Sequence, residues 1–155
     1  MPTALSDLFG FPAAAALGVS AGAMLTGGVV LVPYWRASVP AEFLAWFGAN
    51  SQRMVSFYGP LQLLSAFLAI AAAIASIRAG APDRVPAAVS AILAIAVFVP
   101  YFLYFQQANA SFASSTIETA DVPAELARYA LRQWVRIGLG LAAFGASLLA
   151  LRKAA

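Results

Sequence analysis

Residues 132–153 read RQWVRIGLGLAAFGASLLALRK, an apolar run that begins at Arg132, closes on Arg152-Lys153 and carries one charge, Arg136, inside it. A helix needs about 20 residues to cross a hydrocarbon core of about 30 Å. Counting back from Leu151 places the other boundary near Arg132, so the run reads as a membrane span and Arg136 lies roughly 6 Å below the surface, one turn into it. The segment from Ile137 to Leu151 alone is too short to cross. A charge at that depth is costly unless it faces a protein interior, a wet cavity or the headgroups, and Arg136 is therefore a candidate site residue, with snorkelling to the headgroups as the plainer reading.

Three more apolar stretches of similar length precede this one, giving spans at about 8–32, 54–77, 87–105 and 132–151. The whole chain has 155 residues, 63% hydrophobic and 10% charged. Soluble domains carry about 25% charged residues. The reading is an all-α, integral membrane four-helix bundle, one domain over 1–155, with the lipid bilayer as its first partner and the cytoplasmic (inner) membrane of a bacterium as its expected location. The net charge of +3 is small, with eight Arg to one Lys, mostly at span ends. That fits membrane-edge anchoring and excludes nucleic-acid binding, which needs a basic face on a folded domain. The stretch Met1 to Phe9 carries Asp7 and no Lys or Arg, unlike the positive start of a signal peptide, so the first span is expected to be uncleaved.

The chain has neither Cys nor His. Disulfides, thiol chemistry, haem ligation through either residue, zinc sites and imidazole acid–base catalysis are thereby removed. The acidic residues, Asp83 among them, all fall outside the spans and share no ligand spacing, so no metal and no cofactor is expected.

Along the first span Ala14, Gly18, Gly22 and Thr26 recur every four residues, a small stripe on which another helix can pack. Pro33 is expected to end the span. Pro40, Glu42 and Gly48 then read as start and stop signals of a short interfacial helix bearing Phe43, Leu44, Trp46 and Phe47, followed by a polar break at Asn50 to Arg53. The second span is polar in its first half (Tyr58, Pro60, Gln62, Ser65) and Ala/Ile/Leu-rich in its second, so any cavity is expected on the Met54 side. The third span ends in Tyr101, Tyr104 and Ala108, placed on one face by their i, i+3, i+7 spacing, and is followed by Asn109 and a polar loop from Ala110 to Ala120. Asp121 is placed to cap the last helix, with Glu125 paired to Arg128. Arg128, Arg132 and Arg136 read as one basic stripe, and Gly138, Ala142, Ala146 and Ala150 as a small one.

Because the spans alternate in direction, Trp46, Tyr58, Gln62, Tyr101, Tyr104, Asn109, Gln133 and Arg136 all fall toward one end. That asymmetry marks a candidate site. The other end keeps Arg78, Arg84, Arg152 and Lys153 and reads as the cytoplasmic side.

At Pro100-Tyr101-Phe102-Leu103 leading to Asn109, and at Trp134-Val135-Arg136 leading to Leu141-Ala142-Ala143-Phe144, the chain resembles the anthrone oxygenase-like family of small four-span membrane proteins, along essentially its whole length. The Gly-rich first span ending in Pro33, and Pro60, are similar too. Where the family has a His three residues before the Arg, this chain has Gln133, which can donate and accept hydrogen bonds but cannot serve as a base. The resemblance implies a cofactor-free oxygenase-type bundle acting on a small aromatic or phenolic hydrophobic ligand. In it Arg136, Asn109 and Gln133 are the catalytic candidates. Arg136 holds an enolate, Asn109 and Gln133 orient oxygens, and Tyr101 or Tyr104 relays a proton. Tyr101, Tyr104, Tyr58, Gln62 and Trp46 are the ligand-binding candidates. The alternative is a non-enzymatic binder of a quinone or lipid, or an accessory subunit of a membrane complex or homo-oligomer, in which Arg136 pairs with Asn109, Gln133 or Glu42.

Overall fold

The computed structural model describes residues 3–154, with side chains described from Leu8 to Lys153. The expectations for Met1 and Asp7 fall outside the described side chains. Four long helices account for the chain, each with a segment apolar enough to cross a membrane: Leu8–Ala37, Pro40–Arg78, Arg84–Ala113 and Val122–Lys153. The protein is an all-α integral membrane four-helix bundle. Each helix packs on its neighbours in sequence and helix four closes on helix one, so the bundle runs up-down-up-down.

Helices one, two and three are longer than the sequence reading gave. Helix one continues from Thr3–Thr26 through a π turn, Gly27–Leu31, into Val32–Ala37. Pro33 does not end it. The π turn bonds Val32 N–H to Gly27 O, five residues back, and the proline falls at the start of the next α segment, where its missing N–H costs least. The chain breaks only at Ser38 and Val39, both extended, as the residue ahead of Pro40 prefers. The short interfacial helix is likewise not separate. Pro40–Arg78 is one helix of 39 residues, unbroken at Gly48, at Asn50–Arg53 and at Pro60. Polar side chains alone do not interrupt a helix; Asn50 Nδ2 donates to Trp46 O at 2.9 Å, back along the same turn.

Helix two ends in a Schellman turn. Gly80 takes φ +62°, Ala81 N–H bonds Ser76 O at 3.0 Å and Gly80 N–H bonds Ile77 O at 3.1 Å. Helix three starts at Arg84, passes a turn at Val97 and a second π turn, Tyr101–Phe105, and runs on to Ala113, so the polar loop is 114–121. Asp121 precedes helix four and accepts Glu125 N–H on its carbonyl at 3.0 Å.

The inward faces follow a different period from the one expected. On helix four a buried seam runs through Val122, Leu126, Tyr129, Gln133, Arg136, Gly140, Ala143, Ser147 and Ala150, alternating four and three apart, with Ile137 and Ala146 buried beside it. This is the heptad seam of a left-handed bundle. A strict four-residue repeat precesses by about 40° per step around a helix of 3.6 residues per turn. The small stripe on helix one consequently buries Ala14 but turns Gly22 and Thr26 outward, and that on helix four buries Ala146 and Ala150 but turns Gly138 and Ala142 outward.

Two cores result. Toward the Gly80 turn, Leu17, Ala69, Ala73, Ala87, Ala91 and Ala143 let the backbones approach closely. Toward the other end, Trp35, Phe43, Phe47, Phe105, Phe112 and Tyr129 form an aromatic plug, with Phe43 and Phe112 rings 5.0 Å apart and Phe105 and Tyr129 rings 4.7 Å apart, edge to face.

Candidate functional site

Beneath the aromatic plug lies a cavity of about 320 Å3, within the range of small-molecule sites. Both π turns border it, through Gly27 and Leu31 on helix one and Tyr101 and Phe102 on helix three. Helix one can approach here because it carries glycine: a Cβ at Gly28 would lie 2.5 Å from Ile137 Cδ1, and one at Gly27 3.3 Å from Gln133 Nε2.

Arg136 is the cation of this cavity. It is 9% exposed, and its Nη2 donates to Gln62 Oε1 at 3.0 Å. Its guanidinium carbon sits 4.8 Å from the Phe105 ring centre and 6.0 Å from that of Tyr101. Its Nε is buried without a partner, and no carboxylate faces it; the one ion pair among the described residues is Glu125–Arg128. Gln62 and Arg136 each stand sixteen residues before the basic residue that closes their helix, Arg78 and Arg152. Both therefore lie about 24 Å from that edge, at a common level near the far side of the membrane.

Gln133 is also buried, and its Nε2 donates to Met24 O at 3.1 Å; Tyr58 donates to Ala23 O at 3.4 Å. These two bonds attach helices four and two to the turn just ahead of the first π turn. Asn109 lines the cavity and accepts the Tyr129 hydroxyl on Oδ1 at 3.1 Å. The partners foreseen for Arg136 are thus replaced: Gln62 bonds it, while Asn109 and Gln133 are engaged elsewhere.

Of the residues singled out from sequence, the cavity brings together Arg136, Asn109, Gln133, Tyr58, Gln62 and Tyr101. Tyr104 and Trp46 are not among its lining residues. The π turn has more residues per turn than an α-helix, so Tyr101 and Tyr104 no longer share a face. Tyr104 instead hydrogen-bonds the Glu125 carboxylate, and Arg132 stacks on its ring at 4.0 Å. Trp46 packs on Tyr34 and Trp35, at ring distances of 6.4 and 5.8 Å. The basic stripe divides accordingly, with Arg128 paired to Glu125, Arg132 on Tyr104, and only Arg136 inside.

Sequence reading left out Tyr129 and Trp35. Tyr129 stands on the helix-four seam with Gln133 and Arg136, and the heptad alternation is the signal that finds it. Trp35 lines the same cavity and is 4% exposed, and its Nε1 is a second buried donor without a partner. The lining includes no carboxylate. On one side it includes Val55 and Leu63 of helix two and Phe102 of helix three, each more than half exposed, so the cavity opens between helices two and three onto the lipid-facing surface. Among the described residues no three carboxylates gather as a metal site.

Comparison with protein-family models, with curated proteins and with solved structures finds no match to this chain.

Proposed function

We propose that the bundle takes a small, planar aromatic ligand from the bilayer and holds it by its oxygens in the cavity under the aromatic plug. One observation carries the reading: a cavity of about 320 Å3 with an apolar wall is lined by Arg136 and Trp35, two residues that each keep a buried N–H donor, Nε and Nε1, without a protein acceptor. A buried donor left unmade costs about 1–3 kcal/mol, more when charged, and a ligand oxygen on each would recover that. The ligand is therefore acceptor-bearing, of phenolate or quinone type, with its rings against Phe98, Tyr101 and Tyr129. The opening between helices two and three supports arrival from the lipid.

The test uses purified protein in lipid nanodiscs, with 1,4-naphthoquinone as the probe and naphthalene as the oxygen-free control, read by quenching of tryptophan fluorescence. Naphthoquinone is expected to bind, and Arg136→Gln to weaken it about tenfold or more while leaving naphthalene unchanged. Equal losses for both probes, or none, would sink the proposal.

The resemblance to the anthrone oxygenase-like family supports an enzymatic version of the same site. A bound phenolic ligand, deprotonated to its enolate, would pass electrons to O2, with Arg136 stabilising the negative oxygen. Glutamine stands at 133 and no carboxylate borders the cavity, so the lining offers hydroxyls, of Tyr58, Tyr101, Tyr129 and Ser51, to move the proton. Oxygen uptake with anthrone as substrate, abolished in Arg136→Gln, is the expected outcome of this version. Binding without uptake leaves the ligand-holding role alone.

A further inference from the structure

The opposite end of the bundle holds a second polar feature that the ligand cavity does not use. Asp83, expected in a loop outside the membrane, is turned inward at the head of helix three and is 5% exposed. Its Oδ2 accepts the Ser76 hydroxyl at 2.6 Å, and its Oδ1 is buried without a partner. No cation answers it among the described residues. Arg84, its neighbour, directs its guanidinium to Gly80 O at 3.2 Å, and Arg78, Arg152 and Lys153 are exposed.

Asp83 borders a crevice of about 20 Å3 together with Ser76, Ser90 and Ser147. A site of that size accommodates one water-sized occupant. The hydroxyl hydrogens of all three serines are committed elsewhere: Ser76 to Asp83, Ser90 to Ala143 O at 2.8 Å, and Ser147 to Phe144 O at 2.6 Å. A hydroxyl has one hydrogen and two lone pairs. Each serine around the crevice therefore keeps an acceptor to spare, and Asp83 keeps one at Oδ1. The lining polar side chains come from helices two, three and four, and every free valence on them is an oxygen lone pair. A buried carboxylate with no protein cation calls for a counter-charge.

We propose that this crevice is a binding site for one hard monovalent cation of sodium size, held on Asp83 with the serine oxygens and tying helices two, three and four together at the closed end. A hard cation prefers oxygen ligands, a single carboxylate matches a single positive charge, and the small volume favours sodium over larger ions.

The test is made on the full chain in detergent, by thermal unfolding in sodium chloride against choline chloride at equal ionic strength, and by retention of radiolabelled sodium. Sodium is expected to raise Tm by roughly 3 °C or more and to bind one per chain. Asp83→Asn should abolish both effects. Ser147→Ala, which leaves a small residue on an alanine-lined seam, should fold and bind sodium about tenfold more weakly. Should Asp83→Asn fail to fold, the sodium–choline comparison on the unaltered protein and the Ser147→Ala titration still decide. Equal Tm in the two salts with no sodium retained would mean that a water or a proton serves Asp83, and the proposal would be wrong.

Discussion

In the half of the bundle nearer the Gly80 turn, the helices meet through alanine and serine; in the other half they meet through phenylalanine, tyrosine and tryptophan. Small side chains let helix axes close up and leave only a crevice. Large rings brace the axes apart and leave a cavity sixteen-fold greater in volume, about 320 against 20 Å3. The polar groups divide as well. The open half has donors without acceptors, at Arg136 and Trp35, while the closed half has an acceptor without a donor, at Asp83. Side-chain size sets whether a membrane bundle encloses space, and the sign of the unmet hydrogen bonds sets what that space would take.

The contrast is open to direct attack. Phe112, fully buried between Phe43, Phe47 and Tyr129, is one of the braces. Phe112→Ala is expected to cost about 3–5 kcal/mol, read by denaturant unfolding in detergent; a loss under about 1 kcal/mol would mean the plug does not hold the open half in shape. Ala143 is fully buried in the closed half, and Ala143→Leu should overpack it, at about 1–3 kcal/mol. The same measurement would expose a loosely packed closed half if the larger side chain were neutral or stabilising. Tyr129→Phe removes only the bond to Asn109 and should cost about 1 kcal/mol; it sharpens the comparison by separating the ring's bracing from its hydroxyl. Glu125→Gln, outside both halves, breaks the pair with the largely exposed Arg128 and the bond from Tyr104. An exposed pair contributes little, so thermal unfolding should shift least of the four. A larger shift would make the Tyr104–Glu125 contact part of the brace.

The number of spans, their alternation and the crowding of polar residues toward one end follow from hydropathy, and the depth of Arg136 follows from counting residues between charges. These are one-dimensional quantities, and a sequence carries them directly. Facing is not. The expected stripes assumed recurrence every four residues, whereas supercoiled helices alternate four and three, so Gly22, Thr26, Gly138 and Ala142 face outward and Tyr129 inward. The π turn under Tyr104 rotated that ring away by a change in hydrogen-bond register that no residue type announces. Pro33 and the polar run Asn50–Arg53 read as breaks because local preference disfavours helix there, yet packing of Trp35 and Phe47 on either side carries the helices through. Asp83 does lie outside the spans, in the turn between helices two and three, but it is buried against Ser76 where a charge at a loop position was expected to face water.

Gln62 and Arg136 stand at one level because each is counted off, over the same sixteen residues, from a basic residue at the far edge. The closed half therefore works as a ruler. Deleting one residue between Gln62 and Arg78, or between Arg136 and Arg152, would draw that side chain about 1.5 Å along the axis and swing it about 100° around it, taking Gln62 off the guanidinium or the guanidinium out of the cavity. Substitution within the ruler alters packing by degrees, whereas a change in its length erases the site at a stroke. Loop 114–121, which measures nothing, has no such constraint on its length.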